Sequence, residues 1–260
     1  MKEPWRVSAG HRVVLSAYDA TSTRGGPATK PEADTALPLL QQRLFDLQDR
    51  LSAEATRAVL VVLQGMDASG KDGTLRHAFT GLNPQATPVA AFKEPTPLEL
   101  RHDFLWRVHQ VTPAAGEIGI FNRSHYEDVV AARVRGLVPR AVWEPRFDHI
   151  NAFEHLLSDS GTTVVKFFLH VSRAEQGRRF ERRAKNPDTR WKLRPEDLAD
   201  RDRWDDFQLA YGEALTRTNT EWAPWHVIPA DHKWFRDWAV NNVLVDTLSA
   251  LGPAYPSAKT

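Results

Sequence analysis

The sequence predicts an α/β fold in which a parallel β-sheet lies between two layers of helices. Apolar segments short enough to be strands alternate along the chain with segments whose apolar residues recur at helical spacing. This alternation is typical of parallel sheets covered on both faces. The first strand also runs directly into a glycine-rich turn, a lysine and a helix, which is the context of a phosphate-binding loop. Both observations favour the same three-layer α/β/α architecture.

The elements can be placed in chain order. Residues 1–37 are expected to form an extension that wraps onto the core, with a mobile connector at 21–35 that is rich in Gly, Pro, Thr and Ala. A helix is predicted from Pro38, because leucines recur on one stripe after it. Further helices are predicted after Gly73, at 98–110, at 146–157, and from the last strand through Leu248. Five strands are predicted, at 58–63, 88–92, 117–121, 162–169 and 225–229.

The turn after the first strand has the composition of a phosphate loop. Gly65 and Gly70 permit backbone conformations in which successive N–H groups converge on phosphate oxygens. Lys71 adds a mobile positive charge, and the following helix adds its dipole. Asp72 stands where a Ser or Thr normally places its hydroxyl on Mg²⁺. Either the metal is held differently, with the help of Asp67, or the turn binds no ligand and the match is accidental.

The carboxyl ends of the parallel strands should form one crevice, which is where ligands bind in such sheets. The segment from Asn122 to Asp128 follows the third predicted strand directly. In this position Arg123 could clamp phosphate oxygens, and Glu127 or Asp128 could supply the oxygen ligands that Mg²⁺ prefers. The alternative is an ordinary strand end that carries surface charges.

A strongly basic segment at about 173–203 forms the second constellation. Eight cationic residues lie between Arg178 and Arg194 against two acidic ones, in a chain whose 34 basic and 33 acidic residues give a net charge of +1. An arm that closes over an anion and excludes water from a transfer would have this composition. A solvated surface is the usual explanation of a charge run, but few partners are within reach in the sequence. Nucleic acid is the rival polyanion, but no recognition-helix or stacking pattern accompanies the segment.

The composition excludes several classes of protein. The chain contains no cysteine, which excludes disulfides, thiolate metal sites and cysteine nucleophiles. There is no apolar signal core, and no apolar run approaches the length that spans a bilayer, so we expect a cytoplasmic protein without membrane contact.

Several long motifs resemble the polyphosphate kinase 2 family. They include Gly-Met-Asp-Ala-Ser-Gly-Lys-Asp-Gly at 65–73, Gly-Ile-Phe-Asn-Arg-Ser-His-Tyr-Glu-Asp at 119–128 and Pro-Ala-Asp-His-Lys-Trp at 229–234, and the resemblance extends from about Trp5 to Pro256. It implies a thymidylate-kinase-like P-loop fold with a helical lid. It also implies Mg²⁺-dependent phosphoryl transfer between inorganic polyphosphate and a nucleotide, by a homo-oligomer, either a dimer or a tetramer.

The resemblance also implies residue roles. Asp67, Lys71, Arg123 and Glu127 are the expected catalytic residues, with Asp67 and Glu127 holding Mg²⁺. Phosphate and polyphosphate are expected to be bound by loop residues and by basic residues outside the loop. These are Gly65, Ala68, Ser69, Gly70, Asp72, Gly73, Lys93, Arg133, Arg178, Arg182 and Arg183.

The form of the 122–128 segment is similar to the subclass that accepts both nucleoside mono- and diphosphates. Other subclasses place an aspartate where Asn122 stands and lack an acid at Glu127.

The expected domain is 38–256, including the lid, with a tail at 257–260. The expected reaction moves the terminal phosphate of polyphosphate to AMP or ADP, reversibly, with guanine nucleotides left open. The alternatives are an ATP-dependent nucleoside monophosphate kinase and a non-catalytic nucleotide or polyphosphate sensor.

Overall fold

The computed structural model describes residues 4–8 and 10–257, and these contain a five-stranded sheet in which every pairing is parallel. The strands are β1 (Ala58–Gln64), β2 (Val89–Ala91), β3 (Ile118–Asn122), β4 (Thr162–His170) and β5 (Trp225–Pro229). They lie in the order β2-β3-β1-β4-β5, which places β1 at the centre. In the central register, Val61 of β1 lies opposite Ile120 of β3 and Val165 of β4. The predicted α/β class with five parallel strands is confirmed.

Helices cover both faces of this sheet. The α-helices are α1 (Lys30–Glu54), α2 (Lys71–His77), α3 (Trp106–His109), α4 (Ala131–Val134), α5 (Arg140–Trp143), α6 (Arg146–Asp159), α7 (Arg173–Lys185), α8 (Pro195–Asp202), α9 (Trp204–Arg217) and α10 (Lys233–Leu251). Single 3₁₀ turns occur at Leu15–Ala17, Pro84–Ala86, Glu99–Arg101, His125–Asp128 and Arg190–Lys192.

The core has two halves, one on each face of the sheet. Side chains alternate between the faces along a strand, so Leu60 and Val62 of β1 face the half formed by α6 and α9. Val59, Val61 and Leu63 face the half formed by α1 and α10. All seven residues of β1 are buried, as a strand covered on both faces requires. The apolar run in the sequence is therefore the centre of the molecule.

Two predicted helix boundaries are wrong. Helix α1 begins at Lys30, because Thr29 caps it by accepting from the Glu32 amide and Pro31 fits its first turn. Pro38 therefore lies inside the helix and does not begin it, and part of the predicted connector is helical. The predicted helix at 98–110 is broken, because His102 is extended and the Asp103 carboxylate accepts from the Leu105 amide to start a new turn.

The described N-terminal residues lie along the free edge of β5. The amide of Val7 donates to the Trp225 carbonyl and the amide of Val227 donates to the Trp5 carbonyl, both at 2.8 Å. Trp5 is buried and makes an edge contact with Phe235 of α10. This pairing covers an edge that would otherwise expose unpaired backbone groups. Within the described residues, none of the helices combines the length and apolarity needed to traverse a membrane.

Candidate active site

The turn that joins β1 to α2 is the segment that the sequence predicts to be a phosphate loop, and we call it by that name below. It spans residues 65–70, and three of its residues have positive φ: Gly65 (150°), Ala68 (59°) and Gly70 (111°). Lys71 begins α2, and its buried ammonium returns to donate to the carbonyls of Gly65 at 2.6 Å and Met66 at 3.3 Å. The loop thus closes around the ammonium of the lysine.

Gly70 is required by space as well as by its backbone conformation. A Cβ atom at this position would lie 1.8 Å from Nη1 of Arg236, whose guanidinium comes from α10 and is 1% exposed. A Cβ atom at Gly73 would lie 3.0 Å from Nη2 of the same residue. Arg236 is itself paired with Asp237 at 2.6 Å. A buried ion pair therefore lies against the loop, and a side chain at position 70 would have to displace it.

A pocket opens next to the loop at the carboxyl ends of β1 and β3. Four of the predicted catalytic side chains, Asp67, Lys71, Arg123 and Glu127, line it together with Gly65. Its other lining residues come from the loop and from helices α4, α7, α8 and α9, or follow them directly. These residues are Met66, Ala131, Arg135, Gln176, Asp200, Phe207 and Tyr211.

Arg123 is held over the loop by a tight turn and an ion pair. Its backbone has φ of 62°, its amide donates to the Leu63 carbonyl at 3.1 Å, and its Nη2 donates to Oδ1 of Asp67 at 2.8 Å. Burial opposes the charged form, but the carboxylates of Glu127 and Asp67 outweigh it and raise the pKa of Arg123. The guanidinium is therefore always charged in this pocket.

For the pKa of Lys71 the balance is reversed, because burial outweighs the neighbouring carboxylates. Its burial, followed by the positive charge of Arg123, lowers the pKa of Lys71, and the nearby carboxylates of Asp67 and Glu127 compensate only in part. An anion bound beside the ammonium would favour its charged form.

Glu127 is positioned by Gln64, the last residue of β1. The Gln64 amide group is fully buried; it donates to Oε1 of Glu127 at 3.1 Å and accepts from the Ser124 amide at 3.1 Å. The Tyr211 hydroxyl donates to the Gly65 carbonyl at 3.3 Å, and its burial and the charge of Glu127 raise its pKa, so it stays protonated. The bond from Gln64 holds the carboxylate of Glu127 from the sheet side.

Asp72 lies outside the pocket and has a local partner. It is exposed, and its Oδ1 accepts a hydrogen bond from the side-chain Nδ2 of Asn122 at 3.0 Å. An aspartate at position 122 could not donate in this way and would place two carboxylates side by side. Asn122 therefore explains how this chain accommodates an acid at the position that commonly carries a hydroxyl.

The remaining predicted ligands do not line the pocket. Ala68, Ser69, Gly70 and Gly73 belong to the loop and the start of α2 behind it. Lys93 is exposed on the turn after β2, where its carbonyl accepts from Arg107 at 2.9 Å. Arg133 pairs with Glu213 and lies over the ring of Trp143, with its guanidinium carbon 4.6 Å from the ring centre.

The basic segment has more acidic partners than the sequence suggests. Glu175 lies just before the counted run, and its carboxylate accepts from Arg178 at 2.8 Å and Arg182 at 2.6 Å. Arg183 lies 3.6 Å from Asp197. The side chains of Arg178 and Arg182 are nevertheless 64% and 62% exposed. They remain accessible to an incoming anion, but the expectation of few partners is wrong.

Several residues that line the pocket or hold its side chains were not predicted from the sequence. Gln64 could have been found from the sequence, because it is a polar residue at the end of an otherwise apolar strand. The sequence offers no signal for Arg135, which pairs with Asp200 at 2.6 Å, because the two residues lie 65 positions apart. Gln176 and Tyr211 likewise reach the pocket only through the packing of α7 and α9.

The donor set fits Mg²⁺ if substrate supplies part of the coordination. Among residues 4–8 and 10–257, no group of three or more His, Asp or Glu side chains could hold a metal. Mg²⁺ commonly uses only one or two carboxylates and takes its other ligands from phosphates and water. Asp67 and Glu127 offer two carboxylates in one pocket beside the phosphate loop.

Comparisons with known proteins agree with this geometry. A family model described as Polyphosphate kinase 2 matches residues 28–254. The chain is 50% identical over 256 residues to an AMP/ADP-polyphosphate phosphotransferase of Meiothermus ruber, covering 98% of this chain and 96% of the relative. It is 40% identical over 266 residues to an ADP-polyphosphate phosphotransferase of Rhodopseudomonas palustris, covering 97% and 91%. The crystal structure of polyphosphate kinase 2 from Arthrobacter aurescens TC1 superimposes with a TM-score of 0.95 at 41% identity, covering 99% of this chain and 92% of that one.

Proposed function

The chain belongs to the polyphosphate kinase 2 family, and we propose that it transfers the terminal phosphate of inorganic polyphosphate to AMP and ADP, making ADP and ATP. The observation that carries this proposal is the convergence of Asp67, Lys71, Arg123 and Glu127 on one pocket beside the phosphate loop. The names of the relatives from M. ruber and R. palustris support the donor and the acceptors. The transfer is reversible in this proposal.

The acceptor phosphate is already ionised, so the reaction needs no strong general base. Positioning and neutralisation of charge must therefore supply most of the catalysis. The ammonium of Lys71 exchanges its bonds to the Gly65 and Met66 carbonyls for charge-assisted bonds to the transferred group. Arg123 holds the same group from the β3 side and, through its bond to Asp67, keeps that carboxylate beside the loop.

We assign Asp67 and Glu127 to hold Mg²⁺ when substrate is present. The metal would neutralise charge that builds up on the phosphate oxygens during transfer. Gln64 keeps Glu127 oriented through its 3.1 Å hydrogen bond. The exposed guanidiniums of Arg178 and Arg182, together with Arg183, would contact the remainder of the polyphosphate chain and limit the access of water when α7 and α8 close over the pocket.

The acceptor range rests on the 122–128 segment. Asn122 pairs with Asp72, and Glu127 supplies an acid in the pocket. The M. ruber relative, at 50% identity, bears a name that includes both AMP and ADP. We therefore propose that both nucleotides are acceptors and treat guanine nucleotides as additional candidates.

The deciding experiment incubates the purified protein with AMP, long-chain polyphosphate and Mg²⁺, in the absence of ATP, and follows nucleotides by chromatography. We expect ADP first and ATP after it. Replacing Mg²⁺ by EDTA should stop both steps, and excess ATP with short-chain polyphosphate should lengthen the chain and release ADP. Formation of ATP from ADP but no product from AMP would remove the dual-acceptor assignment and keep the donor.

Two other readings predict different results. A nucleoside monophosphate kinase would phosphorylate AMP with ATP and ignore polyphosphate. A sensor would bind polyphosphate or nucleotide without Mg²⁺-dependent turnover. The four predicted catalytic residues in the pocket favour turnover over sensing. Three further predictions accompany the proposal: a cytoplasmic location, a homo-oligomeric assembly and a division of the chain into three parts. These parts are an extension (1–37), a phosphotransferase domain (38–256) with its lid at about 173–203, and a tail (257–260).

A further inference from the structure

The start of the basic helix α7 is attached to the phosphate loop by side chains that face inward. Three consecutive loop carbonyls, those of Asp67, Ala68 and Ser69, accept hydrogen bonds from two residues of this helix. Gln176 donates to Asp67 at 3.0 Å, and Nη1 of Arg179 donates to Ala68 at 2.9 Å and to Ser69 at 2.8 Å. The same helix therefore carries the exposed lid arginines and holds the loop.

The hydrogen-bonding capacity of Arg179 is fully used within the protein. A guanidinium has five N–H donors in a fixed planar fork. Besides the two loop carbonyls, Nη2 donates to the carbonyls of Ala230 at 2.5 Å and Asp231 at 3.0 Å, and Nε donates to Glu175 at 2.9 Å. The residue is 8% exposed. Arg179 is thus not free to bind substrate, unlike its exposed neighbours on the same helix.

These bonds determine the orientation of the loop's peptide groups. In a trans peptide the C=O and N–H point in opposite directions, so holding a carbonyl also aims the next amide. The bond to the Ala68 carbonyl leaves the Ser69 amide to close the turn on the Met66 carbonyl at 3.0 Å. The bond to the Ser69 carbonyl directs the Gly70 amide away from Arg179. Ala68 has φ of 59°, a conformation that a residue with a Cβ adopts only when its surroundings impose it.

We propose that Arg179 is a positioning residue for phosphoryl transfer: it joins the root of the lid to the phosphate loop and holds the loop's amides in the geometry that receives the transferred phosphate. Gln176 assists and is itself held by Arg201, which donates to its Oε1 at 2.7 Å. The inference rests on the proposed function, because its main measurement is turnover with polyphosphate.

The test compares Arg179→Ala and Arg179→Lys with the wild type. A misplacement of the loop by about 1 Å can lower activity by roughly 10²-fold, and we expect a loss of this size in Arg179→Ala, mainly in kcat. Arg179→Lys keeps the charge and most of the volume, but one ammonium cannot reproduce the five-donor fork. We expect it to restore thermal stability without restoring kcat.

Added guanidinium provides a second measurement. At a non-denaturing concentration, and against an equal concentration of NaCl, guanidinium chloride should raise the kcat of Arg179→Ala by occupying the vacated fork. It should have no such effect on the wild type or on Arg179→Lys. A purely structural role would lower the melting temperature and leave the kcat of the folded enzyme unchanged.

Arg57→Ala is the matched control. Arg57 donates to the Leu251 carbonyl and to Glu54, both at 2.6 Å, at the opposite end of β1 from the loop. Its loss should lower thermal stability with no change in kcat/KM and no response to guanidinium. Equal kcat/KM for folded Arg179→Ala and the wild type would overturn the proposal, as would a guanidinium response shared by the control.

A binding measurement separates this inference from the proposed function. Calorimetric titration with tripolyphosphate does not require turnover, and Arg179→Ala should bind it more weakly than the wild type. A wild type that binds tripolyphosphate but makes no ADP from AMP would refute the proposed function while the titration still tests Arg179. Equal binding by the wild type and both Arg179 variants would then overturn the positioning role.

Discussion

Replacing Lys166 by methionine should test the buried charges beneath the 122–128 segment. Lys166 lies on β4 and is 0% exposed, as are the side chains of its partner Glu154 on α6 and of His125. Its ammonium donates to Glu154 at 2.6 Å, to the Thr218 carbonyl at 2.7 Å and to the Tyr126 hydroxyl at 2.9 Å. All three of its protons are therefore used inside the core.

The expected cost follows from what the substitution leaves behind. Methionine keeps most of the volume of the side chain, so no large cavity forms, but Glu154 stays buried without its cation. Burial by itself would raise the pKa of Glu154. The positive charge of Lys166 outweighs that effect, so the pKa of this carboxyl lies below its usual value in the native protein. Removing one member of a buried pair of this kind costs about 3–5 kcal/mol. That is a large part of the roughly 5–15 kcal/mol available to a domain.

The assay is urea unfolding of the two single variants, Lys166→Met and Glu154→Gln, and of the double variant. In Glu154→Gln the amide oxygen can still accept from Tyr126, so the main loss is the charge that faces Lys166. The double variant removes both charges and should be more stable than the sum of the two single effects predicts, with an interaction energy of about 0.5–3 kcal/mol.

Two results would refute this reasoning. A loss below about 1 kcal/mol in Lys166→Met would resemble that of an exposed ion pair, and would show that the charge is not held as the structure indicates. Strict additivity of the two single effects would show that Lys166 and Glu154 are not coupled. The slope of the unfolding free energy against urea should stay constant, because a changed slope would mean that the unfolded or native state had changed.

Three further predictions concern catalysis. Lys71→Ala should lower kcat by about 10²–10³, in line with the loss of one preorganised donor, and wild-type turnover in single-turnover assays would exclude its assigned role. Because burial lowers the pKa of Lys71 and activity needs its charged form, kcat/KM should fall with rising pH at a lower pH than for an ordinary lysine. This alkaline decline should be missing in Lys71→Arg, and its persistence would assign it to another group. The KM for polyphosphate should rise with NaCl, and the rise should be smaller in Arg178→Ala and Arg182→Ala; a flat response in the wild type would show that these exposed guanidiniums do not hold the chain.

The parts of the fold that were predicted correctly are those with a strong local pattern. The uninterrupted apolar run of β1, followed by glycines and Lys71, specifies a strand, a turn and a helix within a single segment. The two wrong helix predictions also arise from local signals, but here the signals mislead. Pro38 resembles a helix start, although α1 continues through it, and Asp103 interrupts a segment whose apolar spacing favours an unbroken helix.

The candidate site divides in a similar way. Asp67, Lys71, Arg123 and Glu127 lie in motifs at the ends of neighbouring parallel strands, so the topology alone brings them together. Arg133, by contrast, points to Glu213 and Trp143, because its short helix packs against α9 and its charge finds a nearer partner there. Charge in the sequence does not tell which partner a flexible side chain will take.

By itself, the sequence determined the five strands in their chain order, the strand, glycine-rich turn and lysine at 58–71, and the four charged residues that meet in one pocket beside that turn. Each of these follows from backbone preferences and apolar spacing within a few residues, or from strands ending at a common edge. Only the tertiary structure decided what holds the loop in place. Gln176 lies 109 positions from the Asp67 carbonyl that it binds, Arg179 lies 110 positions from Ser69, and Arg236 fills the space beside Gly70. Contacts across such separations depend on how α7 and α10 pack on the sheet, and that packing is set by the whole core.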